Sequence, residues 1–360
     1  MKKVLVIAKG LEINGISNVI FSYYNFLDKN KIKMDFATTL GINEKYRKNI
    51  TENGSELHII SQRDKNPIKY IIKLVNLIRI KKYDVVHIHG NSSMIVLELI
   101  SAVLGGAKLR IAHSHNTTSS NDKLSILLRP ILNNLSNVRI ACGIDAGKWM
   151  FGKKKFILLK NGIDMKKYKF DIKIREEVRS ELNLDGTLVI GHVGSFNYQK
   201  NHHKLIEVFR EMKKIRDDIK LLLVGDGEER KNIEKLLDKY GIKDNVIMYG
   251  ISNEVPRLMH AMDVFVMPSR FEGLPCVLIE AQSLGLPCIV SNKISIESKF
   301  GENIQYFDLN ESNKVWADAI LNIDKNNRKK NSLIAKANMN KCGYNINTEV
   351  LNLQRLYGIN

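Results

Sequence analysis

Short runs of β-branched and aliphatic residues alternate with longer amphipathic stretches along the whole chain, the pattern of parallel strands joined by crossover helices. In the first half the spacing predicts strands at 4–8, 34–38, 57–60, 84–89, 109–115, 138–141 and 156–159, with helices over 17–27, 68–80 and 94–104. Turn-forming Asn161-Gly162-Ile163-Asp164 and an irregular basic stretch over 165–173 then break the pattern, which places a domain boundary there. A second series follows, with strands at 188–193, 221–224, 246–249, 264–267 and 288–290 and helices at 201–214, 228–240 and 275–284. Each half reads as a doubly wound α/β unit. Such sheets bind ligands beyond the carboxyl ends of their strands, so the chemistry is expected in loops that follow strands, and two facing units would form a cleft.

Composition changes the picture in three places. A chain of 360 residues exceeds what one hydrophobic core usually supports, in keeping with two units. The opening Met1-Lys2-Lys3 precedes an apolar run of only five residues, which reads as a first strand rather than a leader, and no run of about 18 apolar residues is present to span a bilayer. Cys142, Cys276, Cys288 and Cys342 lack metal-ligand spacing, so a reduced cytosolic protein without structural zinc is expected. Charge is uneven: residues 1–165 hold 26 Lys and Arg against 12 Asp and Glu, whereas residues 166–360 hold 30 against 26. The basic half fits an anionic membrane face, or else reflects a lysine-rich codon bias. Nucleic acid is disfavoured, because the basic positions are not interleaved with aromatic stacking platforms.

The most informative stretch runs from Met267 to Pro287 and holds Glu272 and Glu280 with seven residues between them. With a helix starting near Pro275, Glu272 falls in the loop and Glu280 in the second turn, about 8 Å further along. Two carboxylates so spaced can accept hydrogen bonds from two separate polyols, such as the hexose and ribose of a nucleotide sugar. Its diphosphate would meet the exposed amides of the helix N-terminus. Four histidines at strand ends, His87, His89, His113 and His115, suggest a metal site by position. The chain has no Asp-x-Asp for a cation held by carboxylates and sugar phosphates, and His87 reads better as a satisfied core residue.

Pro268-Ser269, Glu272-Gly273, Pro275, Glu280-Ala281 and Gly285-Leu286-Pro287 together resemble the E-x7-E signature of the family 4 retaining glycosyltransferases. That resemblance implies the GT-B fold, two Rossmann-like doubly wound domains facing a central cleft. It divides the chain into 1–163, an acceptor-side domain joined by a returning helix at 345–360, and 164–344, the nucleotide-sugar domain. It places Glu272, with the amides of Gly273 and Leu274, on the transferred sugar and Glu280 on the ribose. Lys200, in the loop Gly191 to Asn201, matches the family's basic residue on the diphosphate. Ser195 stands where the family commonly has arginine, and Arg270 is a candidate substitute. Gly15 matches the glycine of the loop after the first strand, and His115 the active-site histidine.

Metal-independent retaining transfer is the implied chemistry. Arg110 to Asn116 and Ala141 to Gly152 resemble the branch that builds bacterial exopolysaccharide and capsule, which implies a UDP-hexose donor and an undecaprenyl-diphosphate-linked sugar acceptor at the inner face of the cell membrane. The alternatives are an epimerase or phosphorylase on the same fold, and a non-catalytic basic membrane-binding or nucleic-acid-binding protein.

Overall fold

The computed structural model describes residues 1–60, 63–116, 121–272 and 274–359. The chain divides into two compact units, Met1–Ile163 with Gly343–Asn360, and Asp164–Cys342.

In the first unit seven parallel strands, β1 (Lys2–Ala8), β2 (Ile32–Thr38), β3 (Leu57–Ile59), β4 (Val85–Gly90), β5 (Leu109–Ser114), β6 (Val138–Ala141) and β7 (Ile157–Leu158), lie in the order β3-β2-β1-β4-β5-β6-β7. The central strands are buried on both faces, which is why they read as continuous apolar runs rather than alternating ones. One face packs Leu5, Ile7 and Val86 against Tyr70, Leu74 and Leu99. Phe21 stacks on Phe36 and on Tyr46. The last helix, Ile346–Leu356, belongs to this unit: Glu349 accepts from the backbone N–H of Lys160, and Gln354 accepts from that of Asp28. Gly162 is required where the chain passes this helix, since a Cβ there would lie 2.9 Å from Ile346 Cα.

The second unit repeats the plan with β8 (Leu188–Val193), β9 (Ile219–Val224), β10 (Val246–Gly250), β11 (Val264–Met267), β12 (Cys288–Ser291) and β13 (Ile304–Phe307) in the order β10-β9-β8-β11-β12-β13. In both sheets the strand order reverses beside the first strand, between β1 and β4 and between β8 and β11. A reversal leaves the loops after the two neighbouring strands diverging from a crevice, the ligand position of doubly wound sheets. Among the described residues no helix is long and apolar enough to cross a membrane.

Candidate active site

The second unit's crevice is built by the loops after β8 and β11. From β8 the chain runs through Gly194 and exposed Ser195 to Lys200. Asn197 Oδ1 accepts from the Lys200 backbone N–H at 3.1 Å. Asn201 then turns the chain into the helix His202–Lys213 with a left-handed backbone, φ 55°, which asparagine tolerates better than most residues. Its buried amide donates to the Pro268 carbonyl at 3.1 Å and so ties the two loops together. A second tie runs from the Arg270 N–H to the Gln199 carbonyl, 2.8 Å, and a third from the Gln199 amide to the Phe271 carbonyl, 3.1 Å. Gly225 and Gly227 brace the β8 loop from β9. A Cβ on Gly225, at φ +139°, would fall 2.1 Å from the Gly194 carbonyl oxygen, and one on Gly227 would fall 2.4 Å from that of Phe196.

These ties bring Lys200 and Glu272 together. Lys200 Nζ donates to Glu272 Oε1 at 2.6 Å, with the side chains only 15% and 8% exposed. A parallel bridge between the backbones of Glu272 and Ile294 fixes the carboxylate's base. Low exposure strengthens the attraction but costs both ions their hydration. Arg270 lies outside the pair, its guanidinium 4.4 Å from the centre of the exposed Tyr198 ring.

The helix that follows is Cys276–Ser283, with Pro275 as its N-cap rather than its first helical residue. Pro275 offers this first turn no side-chain cap, and helix N-termini favour anions. Glu280 is in the second turn, and Leu274 is buried in the loop before it. Gly273 lies outside the described residues. The Tyr168 hydroxyl donates to Glu280, and burial raises the carboxyl's pKa while that hydrogen bond and Lys167 lower it. Burial and Glu280 push the Tyr168 hydroxyl well above its usual range. Tyr168 was not singled out in the sequence, because the segment 165–173 shows no periodicity.

In the first unit Gly15 opens the helix Gly15–Phe26 after β1, behind the cap Asn14, whose Oδ1 accepts from the Ser17 N–H at 3.0 Å. A Cβ on Gly15 would meet nothing within 4 Å. Across the reversal, His87 and His89 on β4 face His113 and His115 at the end of β5, with His89 and His113 in register. The rings form two nearly coplanar pairs. His87 Nε2 and His113 Nδ1 share a hydrogen bond at 3.1 Å, and His89 Nδ1 and His115 Nε2 share one at 2.8 Å. The Tyr357 hydroxyl occupies His87 Nδ1 at 2.8 Å, so His87 is a satisfied buried residue. Burial holds all four imidazoles neutral, with the pKa of His87 and of His115 lowered to about 3.

One ring nitrogen each of His87, His89 and His113 lie within 4.8 Å of one another. Both ring nitrogens of His87 are engaged, one with Tyr357 and one with His113, so a cation held by this trio would have to displace one of those bonds.

Two parallel-sheet Rossmann-like units with these crevices make the GT-B architecture. HepE of Anabaena, solved in complex with UDP and glucose, has the same fold, with a TM-score of 0.84 at 16% identity over 99% of this chain and 100% of that one. The sequence model of the family described as Glycosyl transferases group 1 matches residues 174–339. EpsF of Bacillus subtilis (strain 168), named as a glycosyltransferase, is 32% identical over 374 residues, covering 99% of this chain and 97% of EpsF. An Escherichia coli protein named UDP-Gal:alpha-D-GlcNAc-diphosphoundecaprenol alpha-1,3-galactosyltransferase is 30% identical over 241 residues, 62% of each chain. The chain belongs to the Glycosyl transferases group 1 family and is a glycosyltransferase.

Proposed function

We propose that this enzyme transfers a hexose from a UDP-sugar, with retention of configuration and without a metal ion, to a lipid-linked glycan acceptor in surface polysaccharide biosynthesis. The observation that carries the reading is the 2.6 Å contact of Lys200 with Glu272 at the mouth of β8 and β11, with Glu280 one helical segment on. Lys200 serves the diphosphate, where departure of the nucleotide concentrates negative charge and one well-placed donor is worth about 3 kcal/mol. Glu272, with Leu274 and Gly273, holds the hexose hydroxyls, and Glu280, oriented by Tyr168, holds the ribose. Ser195 borders the diphosphate, and Arg270 adds the charge that serine lacks. In the first unit Gly15 allows the backbone to approach the donor phosphates, and His115 serves the transferred sugar and the acceptor. Glu272 orients rather than attacks, and a leaving phosphate oxygen takes the acceptor proton.

The name of the Escherichia coli relative and the UDP complex of the Anabaena protein support the donor class assigned here, and the former also supports the acceptor class. A lipid-linked acceptor agrees with one face of the first unit. The helix Pro67–Lys81 exposes Ile68 (71%), Ile72 and Ile80 (76%) among Lys69, Lys73 and Arg79, and the helix Asp122–Leu135 exposes Ile126, Leu127 and Ile131 beside Lys123. We assign this face to anionic lipid at the cytoplasmic side of the membrane, where each cation near the surface contributes about 1 kcal/mol.

Calorimetric titration with UDP, against GDP and with EDTA present, tests the donor site. Saturable, UDP-selective binding is expected; binding of neither nucleotide would overturn the assignment. Products from a UDP-sugar screen against undecaprenyl-diphosphate-linked sugars then separate transfer from epimerisation or phosphorolysis. Flotation with phosphatidylglycerol vesicles tests the lipid face, and equal binding to neutral vesicles would refute it.

A further inference from the structure

His115 stands just beyond β5, and its hydrogen bond runs sideways to the neighbouring strand end, from Nε2 to Nδ1 of His89 at 2.8 Å. A neutral imidazole has one N–H and one lone pair. The contact therefore holds one proton between two nitrogens and consumes Nε2 of His115 in either tautomer. Anything that His115 offers a ligand must be offered through Nδ1. The two ring planes differ by 18° with centroids 5.0 Å apart, so the bond lies in the plane of both rings.

His89 cannot easily turn away from this duty. Its ring stacks on His87 at 4.2 Å, and the His115 ring stacks on His113 at the same distance. The underlying pair is itself held in plane by the 3.1 Å His87–His113 bond, with ring planes 13° apart, and by Tyr357 on His87 Nδ1. The Tyr357 hydroxyl has His87 Nδ1 as its one hydrogen-bond partner among the described residues. Donation by Tyr357 to His87 and by His87 to His113 leaves one nitrogen, His113 Nε2, without a partner. The reverse direction would strand the tyrosine proton as well, and buried stranded groups are costly. The lower layer thus has a preferred proton order and a fixed plane, on which the upper pair rests.

We propose that His89 is the positioning residue of His115: it fixes the plane of that ring and confines its ligand contact to Nδ1. This rests on the reading of His115 as an active-site imidazole. His89 itself touches no substrate in this scheme.

The test uses the full chain with ¹⁵N-labelled histidine. Long-range proton–nitrogen spectra report the tautomer of each ring. His89→Leu is expected to move the His115 nitrogen signals toward those of a free neutral imidazole. His89→Asn, whose side-chain amide falls near the place of Nδ1, is expected to preserve them. Rates are read as UDP release from UDP-glucose, UDP-galactose and UDP-GlcNAc in turn, with GlcNAc-diphospho-undecaprenol as acceptor. His89→Leu is expected to lower kcat about tenfold, roughly the worth of one hydrogen bond, while UDP affinity stays within about twofold. His89→Asn should recover most of the rate, and adding His89→Leu to His115→Ala should cost nothing further. Unchanged His115 signals in His89→Leu, or losses that multiply in the double variant, would overturn the proposal. If His115→Ala transfers at the parental rate, the active-site reading falls together with the proposal; if His115→Ala is slow and His89→Leu is not, the proposal alone falls.

Discussion

The pairing of Lys200 with Glu272 gives opposite expectations for two substitutions at one contact. Removing the carboxylate charge with Glu272→Gln releases Lys200 from its partner and leaves an uncompensated cation beside the diphosphate position. UDP should bind as tightly as before or tighter, while sugar transfer falls by at least about a hundredfold, since the hexose loses its charged acceptor. Lys200→Met removes the cation and leaves a poorly exposed carboxylate facing the diphosphate. UDP affinity should then drop by about a hundredfold or more, because repulsion is added to a lost attraction. Calorimetry on both variants decides the matter, and equal weakening of UDP would show that the pair acts only as a structural tie. The contact was invisible in the sequence, where the two residues are separated by 71 others. Their types and the strand ends they follow were legible, but their distance was not.

At the scale of elements, the strands were readable because parallel strands are apolar throughout. β6, β8 and β11 begin and end where the apolar runs do, the others differ from them by one or two residues at most ends, and only β13, short and half polar, was not expected from the sequence. Helices whose signal depends on long-range contact were less so. Asp122–Leu135 carries Pro130 inside it, which reads as a break. Ile172–Glu181 is polar enough to look like the irregular segment that precedes it, and its purpose appears only in three dimensions. There Arg175 and Arg179 reach Asp263 and the carbonyls ending the helix Val255–Ala261. Arg328 meets them from another helix, donating to the carbonyls of His260 and Met262 at 3.0 Å each.

Cations at a helix C-terminus satisfy its last carbonyls and oppose its dipole. This cluster sits at the start of β11, the strand whose far end carries Glu272. Burial costs Arg328 enough to lower its pKa to about 9, yet removing it strands several carbonyls. Arg328→Met should destabilise the second unit by about 3 kcal/mol, measured as a lowered urea midpoint. A midpoint within error of the parent would mean that the remaining arginines suffice.

For the whole molecule, the buried imidazoles set a lower pH limit. Burial lowers the pKa of His87 to about 3, of His192 to about 4 and of His202 to about 2, with His89 and His113 also well below the usual value. In the unfolded chain each would titrate near 6.5. As pH falls through that value the unfolded state takes up protons that the folded state refuses, so stability is complete above about pH 6.5 and drains away toward the folded values. Glu98 and Glu280, whose pKa values are raised by burial, act in the opposite sense: as the pH falls through the raised values the folded state takes up their protons before the unfolded chain does, so they add stability on the way down to the ordinary carboxylate range.

His202 allows the clearest test, because neither of its ring nitrogens has a partner among the described residues and its ring packs on His192 and Phe196. Leucine can fill that space without stranding a polar group. At pH 7.5 the melting temperature of His202→Leu should be close to the parent's. At pH 5 the variant should be the more stable by up to about 2 kcal/mol, the work of keeping one imidazole deprotonated 1.5 units below its usual pKa. The gap should open between pH 7 and 5; a constant offset across that range would mean that His202 acts through packing alone.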